Sequence, residues 1–273
     1  WNGGSRNIGM WKQRNKMQTT KQTYEKHNSF QELYISKGLT SIQEQVQRSL
    51  STLKDVAGSW PVKWTKVLKQ VCYDLEDPHS SVESFKITPF VADEMFLLTD
   101  EELPRYLFHR YRYEIFPTSY RIDDYPPYLQ IEPSSICNYR CVFCYQTDES
   151  FSKKKSTYMG SMGLELYKII VDEAEGNIEF LSLASRGEPL VCRDFTAMME
   201  YSIGKFLNLK VNTNASLMTE NLCHALLCGG TRTIVFSADA AEEPLYSKLR
   251  VNGKLDRVLR NIERFQKIRE TKY

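Results

Sequence analysis

Three of the chain's seven cysteines fall within eight consecutive residues, and this crowding is the strongest chemical signal in the sequence. Cys137, Cys141 and Cys144 form a C-x3-C-x2-C loop directly after a strand-like segment. Three thiolates suit a [4Fe–4S] cluster, because the fourth iron is then left without a protein ligand and can chelate a small molecule. An odd cysteine count with such clustering favours a metal site in a reducing compartment over a disulfide framework.

A zinc site is the alternative interpretation of these three cysteines. Zinc completes a tetrahedral shell with a fourth Cys or His. The histidines are all distant from the loop in sequence: His27, His79, His109 and His224. The remaining cysteines are scattered, and we predict them to be small core residues: Cys72, Cys192, Cys223 and Cys228. The spacing therefore favours a cluster over zinc.

Other residues suited to ligand binding follow the later strand-like segments. The stretch Ser185-Arg186-Gly187-Glu188-Pro189 combines a glycine, which lets backbone approach closely, with a carboxylate that can accept hydrogen bonds from an ammonium group. Two further segments end in small polar residues, Asn212-Thr213-Asn214 and Ser237-Ala238-Asp239. Helix capping or a turn is an equally good interpretation of each of these last residues.

Apolar periodicity predicts the elements that would position these loops. Strands are predicted at 128–132, 178–184, 209–214 and 233–238, and helices at 164–174, 194–206, 219–227 and 255–269. Such β-α alternation implies parallel strands with right-handed crossovers, and chemistry at the carboxyl ends of the strands. We therefore expect an α/β fold, a partial (βα) barrel with about four units visible.

These motifs and their order resemble those of the radical S-adenosylmethionine (SAM) superfamily. The cysteine loop has the aromatic Phe143 directly before its third cysteine, and Gly187-Glu188-Pro189 is similar to the family's Gly-Gly-Glu-Pro motif, with Arg186 replacing the first glycine. The segment 246–253 is similar to one in the branch that carries a C-terminal SPASM cluster domain. The resemblance covers residues 128–273.

The resemblance implies a TIM-like radical SAM barrel in which the three cysteines ligate a [4Fe–4S] cluster and SAM is the second cofactor. In that family one electron from the cluster cleaves SAM to a 5′-deoxyadenosyl radical, which abstracts hydrogen from a substrate. The implied SAM contacts are Phe143 for adenine, Gly187, Glu188 and Pro189 for the ammonium, and Asn214, Ser237 and Arg250 for the carboxylate and ribose. No residue beyond these sites is assigned a catalytic role, and a solvated side chain is the alternative for Arg250.

The implied protein is an enzyme whose substrate is a peptide or protein, a sugar or a small metabolite, and whose electron donor resembles flavodoxin or ferredoxin. The rival is a non-catalytic metal-binding module that holds zinc or a degenerate Fe–S scaffold. A net charge of +2 does not indicate nucleic acid as a partner. The basic-aromatic run 109–113 could stack on bases, but its spacing also allows its tyrosines to pack inward while its arginines stay solvated. Without a long apolar run or a signal-peptide pattern, we expect a cytoplasmic protein with no membrane partner.

Residues 1–127 lie outside the resemblance. We predict a disordered tail over 1–38, which is basic and poor in aliphatic residues, and a mainly helical region over 39–127. Its first helix is predicted to start at Leu39 with a capping box of Ser41 and Glu44, and a later one at Thr99 or Leu103. Because the family's complete core has six βα units, we expect 128–273 to be a radical SAM core truncated at its C-terminus.

Overall fold

Helices form most of the described part of the first half of the chain. The computed structural model describes residues 29–78, 84–152 and 157–273. Residues 1–28 of the tail predicted over 1–38 therefore lie outside the described residues, whereas residues 29–38 are helical. The helices before the sheet are α1 (Ser29–Asp55), α2 (Val62–Glu76), α3 (Pro89–Phe96) and α4 (Leu103–Thr118).

Helix α1 begins at Ser29 rather than at Leu39. Ser41 and Glu44 therefore lie inside the helix, and the predicted capping box is wrong. The apolar stripe that guided the prediction begins only at Ile42, so it marks the packed part of the helix and not its start. Helix α4 begins at Leu103, as one of the two predicted starts has it, with Pro104 in the first turn, where proline loses no hydrogen bond.

Helix α4 packs against the N-terminal ends of the strands. The ring of His109 stacks on Phe180 with centroids 3.8 Å apart. Arg112 is buried, pairs with Asp123 and donates to the carbonyl of Tyr125 at 2.7 Å. The prediction that the arginines of this run stay solvated is therefore wrong for Arg112, because these acceptors offset its burial. The helical region thus closes the end of the sheet opposite to the predicted site.

A four-stranded parallel sheet follows, in the order β1-β3-β4-β5, beside a two-stranded antiparallel pair of β2 and β6. The strands are β1 (Tyr128–Ile131), β2 (Arg140–Cys141), β3 (Phe180–Leu183), β4 (Asn208–Thr213), β5 (Thr231–Phe236) and β6 (Arg250–Val251). The helices are α5 (Glu149–Ser152), α6 (Leu164–Ala174), α7 (Phe195–Tyr201), α8 (Glu220–Cys228), α9 (Glu243–Leu249) and α10 (Leu255–Lys272). The α/β class and the four βα units of a partial barrel are confirmed, whereas α3, α5, α9 and the antiparallel pair were not predicted.

The two faces of the parallel sheet differ in polarity. Alternate strand residues such as Leu183 and Val211 are fully buried in the core that the helices share with the sheet. On the opposite face the strand register aligns Gln130, Ser182 and Lys210 in one row. Apolar branched residues usually fill a barrel interior, so a polar inner face is typical of space that receives a ligand. In the part of the chain described, no helix is long and apolar enough to cross a membrane.

Candidate cofactor site

The three predicted cluster ligands line one cavity at the carboxyl end of the sheet. Cys137, Cys141 and Cys144 border a cavity of about 250 Å³. Within the described ranges, no group of three His, Cys, Asp or Glu side chains is positioned to hold a metal ion. The thiolates of a [4Fe–4S] cluster each bind a different iron, so they need to surround a common space rather than converge on one point. In this respect the cysteines fit a cluster.

Polar hydrogens point at the sulfur of the first cysteine. The backbone N–H of Tyr139 donates to Cys137 Sγ at 3.4 Å, and Asn214 Nδ2 lies 3.9 Å from the same atom. Burial raises the pKa of the Cys137 thiol, and the hydrogen bond from Tyr139 N acts in the opposite direction by stabilising a thiolate. Hydrogen bonds to ligand sulfurs also tune the reduction potential of Fe–S clusters.

Strand β6 holds the cluster loop in place. Cys141 pairs with Arg250 across the antiparallel ladder, and Val142 N donates to Leu249 O at 2.9 Å. The loop that bears the cysteines is therefore fixed by a segment more than 100 residues later, a connection that sequence reasoning missed. Gly253 permits this packing, because a Cβ there would lie 2.7 Å from the Arg250 carbonyl oxygen and 3.0 Å from the ring of Tyr139 in the cluster loop.

The Arg250 side chain is buried beside the cysteines. Its guanidinium pairs with Asp239, and Nη1 lies 3.9 Å from Cys141 Sγ. The alternative interpretation of Arg250 as a solvated side chain is therefore wrong, because β6 turns it inward. Burial raises the pKa of the Cys141 thiol, whereas the nearby positive charge of Arg250 lowers it. Arg250 thus favours the thiolate that an iron ligand must supply.

Gly187 lets the second loop of the site touch the first. A Cβ at this position would lie 1.9 Å from the carbonyl oxygen of Ser134 and 2.7 Å from that of Ile136. Glu188 N then donates to Ile136 O at 3.0 Å. The glycine is therefore required by a close approach between two main chains just before the cysteines.

The Glu188 carboxylate lies at the base of the cavity, only 3% exposed. It accepts hydrogen bonds from Thr213 Oγ1 at 2.6 Å, from Asn214 N at 2.7 Å and from Leu190 N at 3.2 Å. Burial nevertheless raises its pKa, since these donors are neutral and Arg250 offsets the lost hydration only in part. A cationic ligand group beside Glu188 would supply the missing charge.

Asn214 connects the end of β4 to the cluster loop. Its Nδ2 donates to Asn138 Oδ1 at 3.0 Å, and its Oδ1 accepts from the backbone N–H of Ser216 at 2.9 Å. The second contact is a turn of the kind asparagine often makes. Thr219, and not Asn214, caps α8 by accepting from Leu222 N. Asn214 is thus both a turn residue and part of the cavity wall.

The other three predicted SAM contacts, Phe143, Ser237 and Pro189, differ in their exposure and in whether they border the cavity. Phe143 is 58% exposed on the rim, with the Arg250 guanidinium carbon 5.8 Å from its ring, so it is not a core aromatic. Ser237 lines the cavity, and its N–H donates to Thr213 O at 2.8 Å. Pro189 is buried and begins a short turn, Pro189–Val191, and it does not border the cavity.

The buried polar atoms of the cavity wall that have no hydrogen-bond partner among the described residues include Asn212 Oδ1 and Arg250 Nε. An unsatisfied buried polar group costs about 1–3 kcal/mol, so both favour a polar ligand here. Sequence reasoning did not single out Asn212 as a contact, although its place on the inner face of β4 follows from strand alternation.

Arg186, which replaces a glycine of the family's motif, lines the cavity and is held by Glu132. Its Nη2 donates to Glu132 Oε2 at 2.6 Å, and its backbone N–H donates to Glu132 Oε1 at 2.8 Å. A charge-assisted pair of this kind holds the long side chain in one position. The added bulk is thereby accommodated at the end of β1.

A parallel βα sheet that brings a three-cysteine loop and a buried glutamate to one cavity defines a cluster-binding α/β protein. The family model of the Radical SAM superfamily matches residues 131–272, which is more than half of the chain. This chain therefore belongs to the radical SAM superfamily. Its members use a [4Fe–4S] cluster and SAM. The family and cofactors expected from the motifs are confirmed.

Several characterised proteins are similar to the second half of the chain. GTP 3′,8-cyclase of Clostridium botulinum (strain Hall) is 24% identical over 140 residues, which is 50% of this chain and 42% of that protein. The cyclase of Campylobacter lari is 31% identical over 141 residues, 50% of this chain and 42% of the other. Mycofactocin maturase MftC of Mycolicibacterium smegmatis is 25% identical over 140 residues, 51% and 34% of the two chains. The chain therefore spans less than half the length of these relatives.

Solved structures with a similar backbone include SuiB of Streptococcus suis bound to the precursor peptide SuiA. It has 19% identity and a TM-score of 0.46, and the match covers 63% of this chain and 37% of that one. The anSMEcpe structure with bound AdoMet has 24% identity and a TM-score of 0.42, over 53% and 42% of the two chains.

Proposed function

We propose that this chain carries the cluster- and SAM-binding part of a radical SAM enzyme. The observation that supports it best is that one cavity is lined by the three-cysteine loop, by the buried Glu188 and by the partnerless atoms of Asn212 and Arg250. When bound and reduced, the cluster supplies the electron that splits SAM into methionine and a 5′-deoxyadenosyl radical, which abstracts hydrogen from the substrate.

The cavity residues divide the binding of SAM among them in this proposal. Cys137, Cys141 and Cys144 hold the cluster. Glu188 and Asn212 Oδ1 accept hydrogen bonds from the ammonium group, and the low exposure of Glu188 strengthens its charge-assisted bond because little water competes. Gly187 keeps Glu188 in position through its contact with the first loop.

The remaining contacts are proposed for the other parts of SAM. Arg250 Nε is a buried donor available to the carboxylate, and Asn214 lies beside it in the cavity wall. Ser237, at the end of β5, is the proposed ribose contact. The exposed ring of Phe143 is free to lie against adenine. Pro189 is proposed to act indirectly, by starting the turn that follows Glu188.

We propose a polar substrate, either a peptide or protein, a sugar or a small metabolite, which contacts the inner face of the sheet. The row of Gln130, Ser182 and Lys210 supports this, since it offers hydrogen-bonding groups where barrels usually have apolar side chains. The relatives named above include an enzyme named for GTP, a maturase and a protein seen with a precursor peptide. A protein such as flavodoxin or ferredoxin is the proposed electron donor.

Anaerobic reconstitution followed by metal analysis tests the proposal. We expect about four irons per chain with matching sulfide, and a charge-transfer absorption that dithionite bleaches. SAM should then alter the electron paramagnetic resonance spectrum of the reduced protein and be converted to 5′-deoxyadenosine. Stoichiometric zinc without sulfide, or a reducible cluster that SAM leaves unchanged, would favour the non-catalytic metal-binding module instead.

A further inference from the structure

A basic groove lies between the loop after β4 and helix α10. It encloses about 360 Å³ and is lined by residues 216–219 and by Arg257, Arg260, Asn261 and Arg264. The arginines are spaced i, i+3 and i+7 on α10, so they share one face of the helix. We call this feature the arginine groove.

The charge of the arginine groove is largely uncompensated. No carboxylate lines it, and Arg260 alone of the three makes an ion pair in the described structure, with Asp256. Arg264 donates to the neutral acceptors Met218 O and Asn261 Oδ1, at 3.0 and 3.1 Å. Arg257 has no hydrogen bond or ion pair with any described residue. Such a cluster of like charges attracts an acidic partner and speeds its association.

The arginine groove is built in advance of any partner. Asn261 is 7% exposed, and its Nδ2 donates to the carbonyl oxygens of Ala215 at 2.8 Å and Ser216 at 3.1 Å. These bonds and that of Arg264 fix the loop after β4 on α10. A surface that is already ordered loses little entropy on binding.

The arginine groove is also next to the loop that bears the cysteines. Ser216 lines the groove, and its Oγ accepts a hydrogen bond from Asn138 Nδ2 at 2.8 Å. Asn138 directly follows Cys137 in the chain. One side chain and one hydrogen bond therefore separate the first cysteine from the groove. The exposed Arg140 adds positive charge on the same loop, since its partners among the described residues are neutral carbonyls.

We propose that the arginine groove docks an acidic one-electron donor protein; this rests on the proposed function, which requires such a donor. A flavodoxin would give up one electron as its flavin passes from the hydroquinone to the semiquinone, and the cluster would gain that electron. The half-buried Leu217 adds apolar contact area at the base of the groove. Electron-transfer complexes are small and rely on charge for encounter and orientation, which suits a pocket of three arginines beside the cluster loop.

Charge reversal in the groove tests the proposal by binding. The variant carries Arg257→Glu and Arg260→Glu, and the control carries Arg269→Glu, which changes an exposed arginine of the same helix outside the groove. Oxidised, fluorescently labelled flavodoxin is titrated with each reconstituted full chain at about 0.02 M salt, where charges act over long distances. We expect about tenfold or more weaker binding for the double variant and about twofold or less for the control. The difference should shrink at about 0.5 M salt.

A second readout separates docking from the reaction itself. Formation of 5′-deoxyadenosine driven by reduced flavodoxin should fall in the double variant, whereas formation driven by dithionite should stay within about twofold of the unmodified chain. Flavodoxin binding that is unchanged by charge reversal, or weakened equally in the control, would overturn the docking proposal, as would an equal loss of the dithionite-driven reaction. Absence of a cluster or of dithionite-driven cleavage in the unmodified chain would instead refute the proposed function. The binding titration would still show whether flavodoxin binds at the arginine groove.

Discussion

Replacing Gly187 by alanine tests whether the site depends on direct contact between its first two loops. The added Cβ would meet Ser134 O at 1.9 Å and Ile136 O at 2.7 Å. Both neighbours are main-chain carbonyls, so no side-chain rotation can relieve the overlap. The loop that carries Glu188 must move away, and this breaks the 3.0 Å hydrogen bond from Glu188 N to Ile136 O.

The expected cost follows from these two effects. Overpacking a tight site costs about 1–3 kcal/mol, and losing a buried hydrogen bond adds about 0.5–1.5 kcal/mol. We therefore expect Gly187→Ala to lower the free energy of unfolding by about 2–4 kcal/mol. SAM affinity should fall as well, because Glu188 moves with the loop.

Urea unfolding of the cluster-free chain measures the stability loss. Gly160→Ala is the matched control, since Gly160 contacts the same first loop through Ser135, yet a Cβ there would have no atom within 4 Å. The control should change stability by about 0.5 kcal/mol or less. If both variants unfolded at the same urea concentration as the unmodified chain, the inferred contact between the two loops would be wrong.

Three further predictions concern single side chains. Cys72→Ala should leave the cluster intact in iron analysis, whereas alanine at any one of the proposed ligands should abolish it: Cys137, Cys141 or Cys144. Glu188→Gln should keep the cluster but weaken SAM binding about ten- to a hundredfold, because it removes a charge-assisted bond worth about 1.5–3 kcal/mol; an unchanged affinity in a paramagnetic resonance titration would make Glu188 a purely structural residue. Burial lowers the pKa of His109 to about 3, so stability present above its ordinary pKa of about 6.5 should be lost as the pH falls toward 3. His109→Phe, which keeps the stack on Phe180, should flatten the pH dependence of unfolding over that range, and an unchanged slope would contradict this assignment.

The sequence alone determined the features that depend on short-range spacing. Apolar periodicity located the four parallel strands to within about two residues, since each strand buries one face against helices that follow it directly. The cysteine loop and Glu188 could be identified because ligand spacing within a loop, and the position of a loop after a strand, are both local properties. The parallel order then brought the strand ends to one edge, as alternation of strands and helices requires.

Only the tertiary structure decided which distant residues complete the site. Arg250 reaches Cys141 across 109 residues because β6 pairs with β2, and two-residue strands leave no periodicity to detect. Position 187 requires glycine because the main chain of another loop lies too close to leave room for a Cβ. Arg112 is buried, and Arg257 lines a groove, because of what α4 and α10 pack against. Burial and electrostatic environment are sums over spatial neighbours, and residues far apart in the chain become neighbours only when the chain folds.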